Sequence, residues 1–504
     1  MVDTQSIQYS DLYQSLQQRL VEQFGSVFHD PMAPKTVVVV PSLTLDEEIL
    51  SRTGGDHVFY EERLLCLLML LRMPRTHVIY LSSLPISPII VDYYLHLLPG
   101  VTYWHAQKRL TMLSCYDNSV KSLTEKILLR PRLIQSIKEH IPPNHAAHLA
   151  VYNVTKHEQE LALRLELPIY GCNPDLYYLG TKSGSRKIFK QVNIPLPDGF
   201  EDLKSKQDVI EALCLLKTKY PAIRKAVVKL NDGFSGDGNA VFRFDGLAVD
   251  DVLKSKIEIE FESRLKIVSP DISYELYLQK IVEMQAIVEL FIEGEIKTSP
   301  SVQCRITPTS DVEVISTHDQ VLGGESNQVY IGASFPADRE YAVEIAKMAK
   351  KVAEQLKIEG VLGRFGIDFL SVKEDNIWKH YAIEINLRKG GTTHPFLMLQ
   401  YLTDGYYDYQ NGIYTMPNGQ NRYYFTSDNL KSERYKGITP PDLIDIAICN
   451  GLHYDAATQE GVMFHMIGAL SEFGKIGVVC IGKSPQKAIN FYNKTVEVFD
   501  KNSY

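Results

Sequence analysis

Residues 362–388 read LGRFGIDFLSVKEDNIWKHYAIEINLR. A polar turn, Lys373–Ile377, separates two apolar runs, which predicts an antiparallel hairpin. Strand side chains alternate, so Glu384 and Asn386 share one face while Ile383, Ile385 and Leu387 take the other, toward a core. Asp368 is opposite in parity to Ile367 and Phe369. With the turn centred on Asn376, Asp368 and Glu384 are equally far from it and lie directly across from each other, with Asn386 alongside. Two carboxylates and an amide oxygen on one face form a hard-cation site, of the sparse oxygen kind that Mg²⁺ adopts beside phosphate. A merely solvated strand face would scatter its charges instead.

A second constellation lies upstream, where residues 226–238 read AVVKLNDGFSGDG. A buried strand carries Lys229 at its end and runs into a loop holding Gly233, Ser235, Gly236 and Gly238. Such a loop offers backbone N–H groups to a polyphosphate while the lysine counters its charge. The Walker pattern GxxxxGK[ST] is absent, so this is a different kind of phosphate loop.

The surroundings divide in three. Thr36–Val40 (TVVVV), Glu61–Leu71, His77–Leu81, Pro88–Leu98, His148–Val154 and Lys156–Leu165 alternate strand and helix, which predicts a parallel α/β layer over residues 1–180. No GxGxxG follows the first strand, which argues against a dinucleotide site there. From residue 181 to 400 the pattern is α+β, with strands expected at Tyr274–Val282, Ala286–Glu293 and Ile296–Thr307. Arg339–Leu356 is expected as a helix with an alanine-rich apolar face. Residues 401–504 form a C-terminal extension that opens on a tyrosine-rich segment with an Asn418-Gly419 turn. The whole reads as α/β and α+β.

The chain has 504 residues, 53 Lys plus Arg against 61 Asp plus Glu, and a net charge of −8. Mild acidity argues against a nucleic-acid partner. The longest apolar run, Leu64–Leu71, is too short to span a bilayer. Seven dispersed cysteines without a CxxC pair, and an N-terminus without an apolar leader, point to the cytoplasm.

The order of these parts resembles the ATP-grasp superfamily, in which ATP lies between two α+β subdomains. The resemblance implies a Rossmann-like pre-ATP-grasp layer, then an ATP-binding lid over 181–283 and a metal-binding part over 284–400. It gives Lys182 and Lys229 to the ATP phosphates, and Asp368, Glu384 and Asn386 to Mg²⁺ or Mn²⁺. Arg388 would face the transferred phosphoryl group. Gln279, Lys280, Ile281 and Val282 would form the hinge that hydrogen-bonds adenine. The family's ribose-binding Glu is missing at the aligned positions, Ala286 or Ile287, leaving Glu289 or Gln285 as substitutes.

Three further stretches look similar to the peptide ligase of pheganomycin biosynthesis and its bacterial relatives. They are residues 316–324, residues 389–395 (KGGTTHP) and residues 464–482. That resemblance implies ATP-dependent ligation of a small-molecule carboxylate to an amine through an acyl phosphate, giving ADP and phosphate. An ATP-grasp kinase and a non-catalytic ATP-binding regulatory protein are the alternatives, and a homodimer stays open. Gly390, Gly391 and Thr392 would hold the acyl phosphate at a helix N-terminus. His394, His318 and Asp319 are candidates for the substrate pocket. Arg305 is placed either beside the phosphates or in a plain salt bridge. Arg186 and Lys187 are expected as solvated helix charges.

Overall fold

The β-branched run 36–40 leaves no side of its strand polar, and the strand it forms is buried along its whole length. The structure is a computed structural model that describes residues 4–44, 55–232, 238–269, 272–323 and 329–502. Gly233, Ser235 and Gly236 lie outside the described residues. β1 (Lys35–Val40), β2 (Thr76–Ser82), β3 (Leu110–Ser114) and β4 (Ala146–Val151) form a parallel sheet in the order β3-β2-β1-β4. The order reverses between β1 and β4, so their carboxyl ends border a crevice. β3 was not read from the sequence; it is half-buried at every position and carries no strong apolar signal. The helical segment Asp56–Arg72 covers one face of this sheet. No helix among the described residues is long and apolar enough to cross a membrane.

The helix α1 (Lys182–Gln191) follows the N-terminal layer. A five-stranded sheet follows, built from β5 (Gly199–Leu203), β6 (Lys225–Leu230), β7 (Asn239–Arg243), β8 (Leu265–Ile267) and β9 (Ala286–Leu290). The expected strand at Tyr274–Val282 is instead α2 (Tyr274–Met284), capped by the Ser273 hydroxyl accepting from the Leu276 N–H. Tyr277 and Ile281, four apart, are its fully buried pair. The β-prone residue types misled, and the helical spacing after a capping serine was the better signal. Since β9 belongs to this sheet, the sheet ends at Leu290 rather than near residue 283.

A second, eight-stranded sheet holds β10 (Ile296–Ile306), β11 (Val312–Gly323), β12 (Val329–Phe335), β13 (Gly363–Glu374) and β14 (Ile377–Asn386). α3 (Ala342–Ile358) covers one face with Ala342, Ile345, Ala346, Ala349, Val352, Ala353 and Leu356, all fully buried. The opposite face meets α4 (Thr393–Thr403) and the N-terminal layer. A short ribbon, β15 (Tyr406–Asp408) with β16 (Ile413–Thr415), precedes the tight turn at Asn418-Gly419. β17 (Tyr423–Lys431), β18 (Gly461–His465) and β19 (Lys475–Gly482) then extend the same sheet, in the order β14-β13-β10-β11-β12-β17-β19-β18. The C-terminal residues therefore continue the large sheet instead of forming a sheet of their own.

Candidate active site

Asp375 and Asn376, with φ of 48° and 64°, make a two-residue turn closed by Glu374 opposite Ile377. Positive φ at both centres matches strand twist, which Asp and Asn tolerate. This turn is centred half a residue before Asn376, and a bulge compensates: Phe369 pairs with Ala382, yet Asp368 pairs with Glu384. Ile383 is the extra residue. Ala382 and Ile385 take the core positions, not Ile383 and Ile385 as simple alternation has it. At the bulge the Ile385 N–H donates to the Ser185 Oγ at 3.0 Å, which ties α1 to the hairpin.

The acidic residues converge. Asp368 accepts from the Gln320 amide at 2.8 Å and from the Asn386 amide at 2.9 Å. Lys182 Nζ stands 3.4 Å from Glu384 Oε1. Burial pushes the Asp368 carboxyl up to about 7, and neighbouring Glu384 adds to the rise while Arg388 opposes it. A buried carboxyl set directly across the sheet from a second one is a donor set suited to a divalent cation. Gln320, on the adjacent β11, was not singled out from the sequence because its partner is reached only through the sheet. Because a cation must displace the proton held at about 7, Mg²⁺ binding is expected to weaken up to about tenfold per pH unit below that value. Calorimetry in two buffers of different ionisation enthalpy checks this through proton release on binding.

Lys229 on β6 pairs with Ile287 of β9, and its ammonium meets Glu289 Oε1 at 2.5 Å. The other Glu289 oxygen accepts from Arg186 Nη1 at 3.0 Å. Glu289 is buried and committed to two cations, so it does not serve a ribose as expected. Arg186 is also buried, one turn after Lys182 on α1, and is not the solvated charge it reads as in sequence. Lys187 is exposed and pairs with Asp202. The backbone at Gly184 lies so close to the Tyr178 carbonyl that a Cβ would stand 1.9 Å from its oxygen. That contact sets the start of α1, where the Lys182 N–H donates to the Asn231 carbonyl at the end of β6. Gly238 closes the base of the loop, its carbonyl accepting from the Leu230 N–H at 2.9 Å. The Gln279–Val282 hinge is overturned: these residues lie within α2, with Ile281 in the core and Val282 on the surface.

After β14 the chain turns sharply, and the Lys389 N–H donates to the Tyr152 carbonyl at the end of β4. The Gly390 N–H is spent on Thr393 Oγ1 at 3.0 Å, so Gly391 and Thr392, not Gly390, present backbone donors ahead of α4. Gly391 lies against Tyr330, whose ring a Cβ would approach to 3.1 Å. His394 does not line an open pocket. It is buried, 3.0 Å from His465 Nε2 and 3.3 Å from Asp428 Oδ1, and His465 Nε2 is 2.7 Å from the same oxygen. Arg63 holds the other Asp428 oxygen at 2.9 Å. This guanidinium already balances the carboxylate, and the cluster reads as a hydrogen-bonded node joining the N-terminal layer, α4 and the C-terminal strands.

Two more expectations fail. His318 is fully buried with Nε2 at 2.6 Å from the Tyr424 hydroxyl, and desolvation pushes its pKa down to about 3. Asp319 points to the other side of β11, accepting from the Tyr341 hydroxyl at 2.7 Å and the Asp338 N–H at 2.8 Å. Neither faces a substrate. Arg305 pairs with Glu313 at 2.7 Å and lies four residues along β10 from Ser301, the partner of Asp368. It is therefore about 13 Å from the acidic cluster, beyond contact with the phosphates.

Residues 272–392 match the family described as ATP-grasp domain, and residues 175–267 that described as IQCH-like, ATP-grasp. Residues 442–495 match the PGM1 C-terminal domain family. The chain is 29% identical over 436 residues to an L-propargylglycine–L-glutamate ligase of Streptantibioticus cattleyicolor, covering 85% of this chain and 86% of that protein. It is 21% identical to the IQ motif-containing protein H of Danio rerio over 93% of this chain, but spans only 49% of that protein. Among solved structures, the ADP complex of N5-carboxyaminoimidazole ribonucleotide synthetase superposes with a TM-score of 0.52 at 13% identity, over 93% of this chain and 98% of that one. A biotin carboxylase–ATP-analogue complex from Campylobacter jejuni gives 0.53 at 14%, over 93% and 97%. At these identities the superpositions speak for the fold alone.

Proposed function

Residues 175–267 and 272–392 make up an ATP-grasp module, and on that premise we propose that the chain is an ATP-dependent carboxylate–amine ligase. Its substrates are proposed to be an amino-acid or peptide amine and a small carboxylic acid. The observation that carries this reading is the acidic cluster Asp368–Glu384–Asn386 with Lys182 at 3.4 Å, set beside the donors that open α4. Similarity over most of its length to a ligase named for two amino acids supports the substrate class.

Lys182 and Lys229 bind the ATP phosphates. When nucleotide arrives, Lys229 exchanges its pairing with Glu289 for a phosphate, while Arg186 keeps that carboxylate balanced. Adenine meets the backbone at 291–293, the segment that leaves β9 and crosses between the two sheets, with exposed Glu293 and Glu295 available to the ribose. Asp368, Glu384 and Asn386 are the residues that would hold Mg²⁺, which offsets phosphate charge. The substrate carboxylate attacks the γ-phosphoryl group in line; Arg388 orients it and opposes the developing negative charge. The Gly391 and Thr392 N–H groups, at the positive end of α4, hold the acyl phosphate until the amine displaces phosphate. No covalent enzyme intermediate is required.

Purified protein given ATP, Mg²⁺, a panel of acids and hydroxylamine is expected to form hydroxamates together with ADP. ADP formation with only phosphorylated alcohols as products would favour kinase chemistry instead. A Lys229→Met variant is expected to raise the KM for ATP about tenfold or more, as removal of a charge-assisted contact does; an unchanged KM would remove Lys229 from the nucleotide site.

A further inference from the structure

Arg364 of β13 and Arg305 of β10 face each other directly across the sheet, on the side that carries Asp368. Like charges in that register destabilise a sheet unless something compensates. Glu313, opposite Arg305 on β11, is the carboxylate at hand, and it is spent on Arg305 at 2.7 Å. Arg364 makes no hydrogen bond or ion pair with any described residue, although it is only partly exposed. Lys389 approaches the same spot, its ammonium donating to the Val151 carbonyl. Tyr401, on α4, feels the charge of both guanidiniums, and its hydroxyl likewise makes no hydrogen bond among the described residues. Desolvation and mutual repulsion press Arg364 down to about 10 and Lys389 to about 8. Three cations against one carboxylate, with an uncommitted guanidinium and phenol, make a polar network that lacks an anion.

The geometry points to a carboxylate-binding subsite at Arg364, Tyr401 and Lys389, which receives the remote carboxylate of the amine substrate while its amine faces the acyl phosphate. A guanidinium fork suits a carboxylate bidentately. Arg364 lies four residues, about 13 Å, along β13 from Asp368. That gap, less the reach of the guanidinium, fits an acceptor of two or three extended residues at about 3.3–3.6 Å each. This inference rests on the ligase reading for the identity of the ligand, and the subsite itself can be tested without turnover.

Calorimetry on the full chain without nucleotide would compare trialanine, trialanine amide and sodium sulfate, using wild type, Arg364→Met, Arg364→Lys and Tyr401→Phe. Trialanine is expected to bind about 10- to 100-fold more tightly than its amide, a preference that Arg364→Met abolishes and Arg364→Lys partly keeps. Tyr401→Phe is expected to cost a few-fold. In ligation assays, Arg364→Met should raise the KM for free-acid peptides and leave the KM for ATP unchanged. Equal binding of acid and amide by the wild type overturns the subsite, as does a folded Arg364→Met protein that still prefers the acid. Arg364-dependent binding of sulfate with none of trialanine overturns the substrate assignment in favour of a free-anion site. Arg364-dependent binding of trialanine without any amide formation would support the subsite while the ligase reading failed.

Discussion

Glu384→Gln is expected to lower kcat by about 10²- to 10³-fold, the loss seen when one preorganised electrostatic contact to developing charge is removed. Gln keeps the shape and one oxygen, but it removes the negative charge that helps hold a cation and that Lys182 faces at 3.4 Å. Thermal stability should hold or rise slightly, because Asp368 loses the like charge that helps push its carboxyl up to about 7. The Asp368 pKa then moves back toward the usual carboxylate range, which weakens the pH dependence of the metal-free protein. Steady-state kinetics with saturating ATP and Mg²⁺, alongside a melting curve, separate this from misfolding. Retention of more than about a tenth of the wild-type rate would remove Glu384 from the metal site.

Asp428→Asn is expected to be the most damaging substitution for stability, at about 3–5 kcal/mol, because it strands a buried guanidinium. Asp428 is ion-paired with Arg63 at 2.9 Å and accepts from His465 at 2.7 Å, with His394 at 3.3 Å. Its carboxyl is buried, yet Arg63 first and then the two histidines hold its pKa well below the ordinary value. A depressed pKa stabilises the fold above the unfolded-state value of about 4, and that contribution drains away as pH falls below it. The gap between wild type and variant should therefore be full at neutral pH and narrow only in strong acid. Urea unfolding at pH 7 and at about pH 2 measures it. The double variant Arg63→Met, Asp428→Asn should be less unstable than the two single effects combined, since the partners are lost together. Strictly additive losses would mean that the pair is not coupled.

The acidic hairpin was legible because its signal is local: two strands, one turn and an alternating pattern locate Asp368 opposite Glu384. That pairing was reached through a turn centre half a residue off, which the bulge at Ile383 corrects. The signals that failed were non-local. Glu289 looked available in sequence, but Lys229 and Arg186 reach it from other elements. His318 sits in a strand whose polar residues suggest a pocket, and the later β17 buries it under Tyr424. α2 was missed because Tyr, Ile and Val favour strands in general, while the Ser273 cap and the four-residue spacing of Tyr277 and Ile281 decide this case. The His394–Asp428–His465–Arg63 node joins positions hundreds of residues apart, and no spacing announces it.

The most direct test of the ligase reading follows oxygen from the carboxylate. With an acid substrate labelled with ¹⁸O in its carboxyl group, attack on the γ-phosphoryl group and displacement by the amine transfer one labelled oxygen to inorganic phosphate. Mass spectrometry of the released phosphate should show one ¹⁸O per amide formed, with ADP as the nucleotide product. Label appearing in AMP with release of pyrophosphate, or phosphate carrying no label while amide accumulates, would contradict the acyl-phosphate mechanism.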